Sequence, residues 1–309
     1  MKKIIISVLI GLVLALGVVG CSGDSAEDKS KLSVVATLFP QYDFDKAIGG
    51  DKAEVTLLLS PGVESHSYKP TPGDILKINK SDLFIYTGAY MEPWAHRIIE
   101  GNKGKSIVVD ASKGIPLEVS YEEVGHEDHS HDNHSFDPHI WLDLTLAAKM
   151  VDNIVDGFIE RDSENEAYYR SNGEAYKKEL SALDQEFKSA VEEGTKDTLV
   201  FGGRFAYQYF LDHYGLNYVT AYDSCSSEGE PSVKTISEII KYINDNKINV
   251  IYYEEFVDPK IANSIAAETG VKPLLFTTAH NVTKDQFNSG ISFMELMREN
   301  LANVKEGLK

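Results

Sequence analysis

The sequence predicts an α/β protein in which one long helix joins two lobes, each built on a parallel sheet. Apolar runs of strand length alternate with helical segments in both halves of the chain. These runs are too continuous for a sheet with one exposed face, so they indicate buried parallel strands. Residues 144–194 between the halves have a helical pattern only, and 309 residues are enough for two cores of ordinary size.

The first half contains four predicted strands with short helices between them. The strands are residues 32–38, 54–60, 83–87 and 106–112, and the helices are residues 42–48, 74–79 and 94–99. In open parallel sheets, ligands bind beyond the carboxyl ends of the strands. The segment after the second strand carries His66, which is therefore expected at that edge.

One apolar stripe runs along the middle segment at steps of seven, four, three, four and four residues. Its members are Tyr169, Tyr176, Leu180, Leu183, Phe187 and Val191. This spacing indicates one buried face of a long helix. A helix of about thirty residues would span about 45 Å, more than one small lobe needs. We therefore expect a rod that links two lobes, with a helical hairpin packed on one lobe as the alternative.

The α/β alternation resumes after residue 194. The predicted strands are residues 197–201, 216–222, 249–253 and 272–276, and the helices are residues 205–214, 232–246, 259–269 and 289–307. His280 follows the last strand, again on the carboxyl side of a sheet. The expected division is an N-terminal lobe of residues 32–143, a helical segment of residues 144–194 and a C-terminal lobe of residues 195–309.

The N-terminus has the pattern of a secretory signal peptide. Two lysines precede an uncharged apolar run of residues 4–20, and Cys21 follows it directly. The junction resembles a bacterial lipobox, so we expect residues 1–20 to be removed and Cys21 to carry lipid. Residues 21–31 would tether the protein to the outer face of the cell membrane. The alternative is an uncleaved membrane helix, which would be short for a bilayer of roughly 30 Å.

The composition excludes a nucleic-acid-binding function. The formal net charge is −18, and it becomes −20 when residues 1–20 leave with their two lysines. Such a surface repels phosphate backbones. If Cys21 is lipidated, Cys225 is the only remaining thiol, so the mature chain has no internal disulfide.

Five of the nine histidines lie between residues 125 and 143. Four of them lie in residues 125–135 among acidic and small polar residues, namely His126, His129, His131 and His134. This segment is expected to be a solvated loop with many loose metal ligands. His139 differs because it follows Pro138 and precedes apolar residues 140–142, so its ring should be held in place. A plain polar loop and a structural histidine remain the alternatives.

Five segments of the chain carry a resemblance to a known family. They are GVESHSYKPTPGDI (62–75), DPHIWLDL (137–144), F-x-Y-Q-Y-F-x-x-x-YGL (205–216), EGEPS (228–232) and SFMELMRENLANVKEGL (292–308). In this order, with a lipobox and a His-rich loop, the chain resembles the zinc and manganese substrate-binding lipoproteins of bacterial ABC importers. That family also includes adhesin-type lipoproteins of streptococci.

The resemblance implies two α/β lobes joined by one rigid helix, with the metal in the cleft between them. It implies His66 and His139 as metal ligands from the N-terminal lobe. His280 stands where the family usually has an aspartate, and we expect it to be a third imidazole ligand. The implied partners are an importer permease and its ATPase, and the protein is expected to act as a monomer.

Arg204 departs from the family pattern. Counted back from Tyr214, it occupies the place where the family has a further ligand, His or Glu, and a guanidinium cannot ligate a metal. It must point away, hold an anion, or pair with a carboxylate, for which the candidates are Asp223, Glu228 and Glu254. Cys225 could supply the missing donor.

The ligand types favour Zn²⁺ as the cargo. Three imidazoles, with or without a thiolate, suit a tetrahedral zinc site, whereas Mn²⁺ prefers carboxylate oxygens. The His-rich loop could collect zinc and pass it inward. The predicted function is therefore that of an extracytoplasmic, lipid-anchored protein that binds zinc and delivers it to a permease.

Three other functions stay open. The first is a zinc hydrolase, which the pair Glu254 and Glu255 could serve. However, HEDH (126–129) lacks the spacing of an HExxH motif, and the sequence has no Gly-x-Ser-x-Gly elbow or phosphate loop. No catalysis is therefore expected. Arg204 could make the cleft specific for a carboxylate or a metal chelate. The protein could also act as an adhesin.

His96 and His213 are expected on helices as surface or structural residues.

Overall fold

Two four-stranded parallel sheets organise the protein, and their strands follow one another in the same spatial pattern. The computed structural model describes residues 31–101, 106–118, 136–222 and 231–309. The N-terminal sheet has the order β2-β1-β3-β4, with β1 (Leu32–Ala36), β2 (Ala53–Leu57), β3 (Leu83–Tyr86) and β4 (Ile107–Asp110). The C-terminal sheet has the order β6-β5-β7-β8, with β5 (Thr198–Phe201), β6 (Asn217–Thr220), β7 (Val250–Tyr253) and β8 (Lys272–Leu275). The predicted fold class is confirmed.

The helices lie between these strands and in the middle of the chain. They are α1 (Phe39–Gly49), α2 (Pro72–Lys80), α3 (Ala95–Gly101), α4 (Leu144–Arg161), α5 (Glu166–Glu192), α6 (Gln208–Tyr214), α7 (Val233–Asn246), α8 (Lys260–Thr269), α9 (Lys284–Ser289) and α10 (Phe293–Gly307). Within the described parts of the chain, none of them is both long enough and apolar enough to cross a membrane.

Two helix predictions need correction. The helix expected over residues 205–214 begins only at Gln208, and residues 204–207 before it have no regular structure. The closing helix expected over residues 289–307 begins only at Phe293, after the separate short helix α9, which ends at Ser289. Gly290 ends α9 in the left-handed conformation at φ 78°, which glycine adopts at little cost. Ser292 then caps α10 by accepting a hydrogen bond from the Glu295 amide.

The middle of the chain is both a hairpin and a link. Helices α4 and α5 pack so closely that a Cβ on Gly173 would lie 2.5 Å from Cγ2 of Val155. Helix α5 has 27 residues, so it runs about 40 Å. Its Tyr176 hydroxyl donates to Asp43 of α1 at 2.7 Å, and its Phe187 ring packs on Phe210 of α6 at 5.2 Å. One helix therefore contacts both lobes, while its partner α4 closes the hairpin.

The predicted apolar stripe forms the buried face of α5, with Val191 half-buried at its end. One apolar cluster continues from the N-terminal sheet through α4 and α5 into the C-terminal sheet. Polar contacts also join the lobes. The Trp141 indole donates to the Thr278 carbonyl at 2.7 Å, and the Phe39 amide donates to the His280 carbonyl at 3.1 Å. The loop that follows β8 is thus attached to the N-terminal lobe.

A buried carboxyl organises the carboxyl ends of β1 and β3. Glu92 is 2% exposed and accepts hydrogen bonds from the Thr37 hydroxyl at 2.5 Å and from the Thr87 and Gly88 amides at 3.1 Å each. Burial nevertheless raises the pKa of Glu92 to about 7, because loss of hydration outweighs these bonds. The native state therefore prefers the protonated carboxyl.

We predict that Glu92→Gln changes the pH dependence of stability. Because the pKa of Glu92 in the fold lies above its ordinary value, the wild-type contribution is fully present below about pH 4.5 and is lost as pH rises through about 7. The neutral amide of the variant does not titrate, so the variant loses no stability in this way as the pH rises. The free energy of unfolding of the variant relative to the wild type should therefore rise by up to about 3 kcal/mol between pH 4.5 and 8. Urea unfolding at several pH values measures this, and parallel curves for the two proteins would contradict it.

Candidate metal centre

Three histidines from distant parts of the chain line one small cavity between the lobes. His66 follows β2, His139 precedes the short 3₁₀ turn Ile140–Leu142, and His280 follows β8. The ring centroid of His66 lies 5.4 Å from that of His139 and 6.1 Å from that of His280. The cavity encloses about 10 Å³, which is room for one water-sized particle. The other residues that line it are Glu64, Arg204, Ala206, Glu254, Glu255, Val257 and Thr278.

Asp137 fixes the orientation of His139. Its Oδ1 lies 2.7 Å from the ring Nδ1 and also accepts the His139 backbone N–H at 2.9 Å. A carboxylate only accepts, so Nδ1 donates and the lone pair belongs to Nε2. The ring is 1% exposed, and the predicted burial of its neighbours 140–142 is confirmed. Such a carboxylate–histidine pair is the usual support of a metal-binding imidazole.

A relay of two hydrogen bonds fixes His280 in the same way. The Thr278 hydroxyl donates to Oε1 of Glu255 at 2.7 Å, so its oxygen accepts from the His280 Nδ1, which lies against it. Nε2 therefore carries the lone pair here too. Ala279 between them has φ 58°, a left-handed conformation that costs a residue with a side chain roughly 1–2 kcal/mol. The fold tolerates this strain at the residue that turns His280 inward.

His66 stands at the mouth of the cavity and is exposed as a whole residue. Glu64 holds its loop by accepting the His66 amide at 3.0 Å and the Ser67 amide at 2.9 Å. Enough protein surrounds the ring that loss of hydration, with His139 and His280 nearby, lowers the pKa of His66 to about 3. Burial also lowers the pKa of His280. Both rings are therefore neutral at neutral pH, the state in which imidazole ligates metals.

Nε2 of His139 and Nε2 of His280 are buried and have no hydrogen-bond partner within the described ranges. Two imidazoles on one tetrahedral zinc ion have ring centroids about 5 Å apart, given a Zn–N distance near 2 Å. The observed 5.4 and 6.1 Å are slightly longer. Accordingly, no three His, Cys, Asp or Glu side chains of the described residues already stand at ligating distance from one point. An ion would need these rings to move slightly closer together.

Arg204 lies in the wall of this cavity, beside Glu254. Its Nε is 3.9 Å from Glu254 Oε1, so Glu254, one of the carboxylates that the sequence offered, forms an ion pair with it. The other two candidates, Asp223 and Glu228, lie outside the described residues. Burial, together with the neighbouring Glu255, raises the pKa of Glu254 to about 8, although Arg204 acts in the opposite direction. Arg204 also helps to lower the pKa of His66, so its charge reaches the histidines.

A repeated sequence signal around the three histidines was missed. In each case the residue two positions earlier supports the histidine: Glu64 binds the His66 amide, Asp137 the His139 ring and Thr278 the His280 ring. The pattern of an oxygen-bearing side chain, any residue and histidine is visible in ESH, DPH and TAH. Short polar side chains reach backbone and ring groups two residues on. The importance of Glu255 was not visible, because its contacts are with residues 23 and 25 positions away.

Several predicted site residues fall outside the described residues. They are Cys21, His126, His129, His131, His134 and Cys225, together with Asp223 and Glu228. Two other histidines are structural or superficial, as expected. His96 is exposed and lies 3.5 Å from Glu100, one turn along its helix. His213 bridges Asp184 of α5 at 2.7 Å and Asp143, the N-cap of α4, at 3.3 Å.

Comparison with known proteins relates the chain to zinc uptake. Residues 34–307 match the family model described as ZnuA, zinc-uptake complex component A, periplasmic. The high-affinity zinc uptake system protein ZnuA of Bacillus subtilis is 35% identical over 301 residues, which are 96% of this chain and 94% of that protein. The zinc-binding lipoprotein AdcA of Streptococcus pneumoniae is 32% identical over 310 residues, which are 99% of this chain and 61% of AdcA. The chain thus spans less than two thirds of that relative.

Solved structures agree with this relationship. The Zn(II)-bound ZnuA-like domain of S. pneumoniae AdcA superposes with a TM-score of 0.76 at 28% identity, covering 90% of this chain and 99% of that one. The laminin-binding protein Lmb of Streptococcus agalactiae gives a TM-score of 0.77 at 28% identity and covers 90% and 100%. Lmb is described as bifunctional, with adhesin and metal transporting activity.

We predict that Asn281→Ala destabilises the protein by about 2–3 kcal/mol. The Asn281 amide is 1% exposed and donates to the Ser60 carbonyl at 2.9 Å and the Val63 carbonyl at 2.7 Å, which ties the His280 loop to the His66 loop. Denaturant unfolding of the purified protein measures the loss.

Asn246→Ala is the matched control. The Asn246 amide also donates to a backbone carbonyl, that of Tyr242 at 2.9 Å, but it does so on the surface. Its removal should change stability by less than about 0.5 kcal/mol. Equal effects of the two substitutions would show that the contact between the loops adds nothing.

Proposed function

Because this chain belongs to the ZnuA family of zinc-uptake components, we propose that it is the substrate-binding protein of an ABC importer for zinc. One Zn²⁺ binds as cargo in the cavity between the lobes. His66, His139 and His280 supply imidazole nitrogens to it. The bound ion is then presented to a permease whose transport is driven by an ATPase.

One observation carries the proposal: the buried Nε2 atoms of His139 and His280 have no hydrogen-bond partner in the described structure, and both residues line the same cavity. A buried polar atom without a partner costs about 1–3 kcal/mol. The Asp137 and Thr278 contacts hold the lone pairs on these atoms, so the cost is maintained by the fold itself. A ligand that accepts two nitrogen lone pairs would relieve it.

Zinc fits this donor set better than manganese does. Imidazole nitrogens suit Zn²⁺ in a tetrahedral site, whereas Mn²⁺ prefers several oxygen ligands. The cavity volume of about 10 Å³ suits a bare ion. The relatives support the same ion, since AdcA is named a zinc-binding lipoprotein and its ZnuA-like domain has been solved with Zn(II) bound.

The same volume argues against the other ligand that the sequence left open. A carboxylate ligand or a metal chelate is far larger than one water molecule. Arg204, the residue that would hold such a ligand, already lies beside Glu254. We therefore assign the cavity to a single ion and the protein to transport, with no catalytic role.

The proposal also assigns roles to the N-terminus, the two lobes and the His-rich segment. Residues 1–20 act as the signal peptide, Cys21 carries the lipid, and residues 21–31 tether the protein outside the cell membrane. Residues 32–143 and 195–309 serve as the two lobes around the helical segment 144–194, and the protein acts as a monomer. Residues 125–135 collect zinc through His126, His129, His131 and His134.

We predict that His139→Ala lowers the zinc affinity at least about 100-fold, because even loss of a residue that only supports a ligand costs about 10–100-fold. Titration with zinc in competition with a chelator measures this. His96→Ala is the control, since His96 is an exposed histidine with only a surface ion pair. It should leave the affinity within about twofold. Zinc binding of wild-type strength in the His139 variant would refute the assignment of the site.

We predict a different result when residues 125–135 are deleted. The deletion removes four histidines but none of the described residues that line the cavity. The equilibrium affinity should therefore stay within about threefold of the wild type, a change of less than about 0.7 kcal/mol. Zinc uptake by cells at low external zinc should fall. A deletion that abolished equilibrium binding would instead place ligands in this segment.

A further inference from the structure

Glu254 also lines this cavity, and one of its oxygens makes no hydrogen bond among the described residues. It follows β7 directly, its residue is 6% exposed, and its Oε1 is buried without a hydrogen-bond partner among the described residues. The backbone N–H of Arg204 donates to this carboxyl and so holds it in place. The carboxyl thus shares one feature with His139 and His280: a buried donor atom that makes no hydrogen bond.

We propose that Oε1 of Glu254 is the fourth donor to the bound ion and that Arg204 is its permanent counter-charge. This inference rests on the proposed zinc function and adds to it an oxygen donor from the C-terminal lobe. Cys225 is then not required as a ligand.

The other two carboxylates in the cavity wall are occupied. Glu64 uses Oε1 for the His66 amide and Oε2 for the Ser67 amide. Glu255 uses Oε1 for the Thr278 hydroxyl and Oε2 for the Thr278 amide. A metal bound to an oxygen of either residue would compete with the hydrogen bonds that hold the loop of His66 or His280. Glu254 can ligate through Oε1 at no such cost.

The charges around the cavity favour the same assignment. A guanidinium about 4 Å from even one positive charge costs roughly 4 kcal/mol at an effective dielectric near 20, and an ion of charge two costs more. Glu254 stands beside Arg204 with its Oε1 at 3.9 Å from the guanidinium Nε, so it screens the ion from that charge. When ionised, the three lining carboxylates and Arg204 carry a net charge of −2, which matches one divalent cation.

A carboxylate donor also explains why the site would store zinc instead of using it for chemistry. Catalytic zinc has three protein ligands and an open position for water, whereas closed sites have four protein ligands. Three imidazoles with Glu254 fill the tetrahedron. The departure at Arg204 is then compensated, because Glu254, which pairs with Arg204, supplies the donor that Arg204 cannot.

The test uses the full-length mature protein and two variants, Glu254→Gln and the double variant Arg204→Gln/Glu254→Gln. Zinc affinity is measured by chelator competition, and Co²⁺ is bound in place of zinc so that its visible absorption reports the number and type of ligands. The double variant removes both charges, so it separates a donor role from a purely electrostatic one. Glu92→Gln is the matched control, since Glu92 is a buried glutamate that does not line the cavity.

We expect Glu254→Gln to lower zinc affinity at least about 100-fold, as for other lost ligands, and to weaken the Co²⁺ bands. The double variant should remain as weak, and Glu92→Gln should match the wild type in both measurements. Recovery of wild-type affinity and spectrum in the double variant, or no change in Glu254→Gln, would overturn the inference. In that case the proposed function would still stand if His139→Ala lost binding. It would fail as well only if His139→Ala bound zinc like the wild type.

Discussion

Two imidazole nitrogens, buried and without partners in the described structure, are the constraint around which the site is arranged. Each costs about 1–3 kcal/mol in the absence of a ligand. Asp137 prevents His139 from changing tautomer, and the Thr278–Glu255 relay does the same for His280. The structure therefore keeps the lone pair of each of these two rings on Nε2. Such preorganisation lowers the free-energy cost of binding an ion, because the two side chains are already ordered when the protein folds.

The cavity depends on contacts between the lobes, not on either lobe alone. His280 belongs to the C-terminal lobe, yet the backbone around it bonds to Phe39, and Asn281 bonds to the loop after Ser60. Trp141, two residues after His139, bonds back to Thr278. An apolar core that continues across both lobes supports these bonds. The small distance by which the rings must still approach can thus be covered by the loops without a large movement of the lobes.

Electrostatics explains how an arginine can stand where a metal ligand is expected. The chain is strongly acidic, with a formal net charge of −18, and three carboxylates surround the cavity. Within this field one guanidinium is tolerated, since Glu254 lies beside it and Glu64 is close enough to affect the Glu254 pKa. The mouth and the interior of the cavity also differ in their exposure to solvent. His66 is exposed, whereas His139 and His280 are almost completely buried, so under the proposed function an ion would enter on the side of His66.

Sequence alone determined the features that depend on neighbours along the chain. Apolar runs gave the two parallel sheets, the seven-four-three spacing gave the buried face of α5, and the rule for strand ends brought His66 and His280 to sheet edges. Tertiary structure decided what depends on residues far apart in the chain. The pairing of Arg204 with Glu254, the support of His280 by Glu255, and the attachment of the His280 loop to the N-terminal lobe join residues 25 to 241 positions apart. Hydrogen bonds act over about 3 Å, and no periodicity of a chain reveals which distant atoms come within that distance.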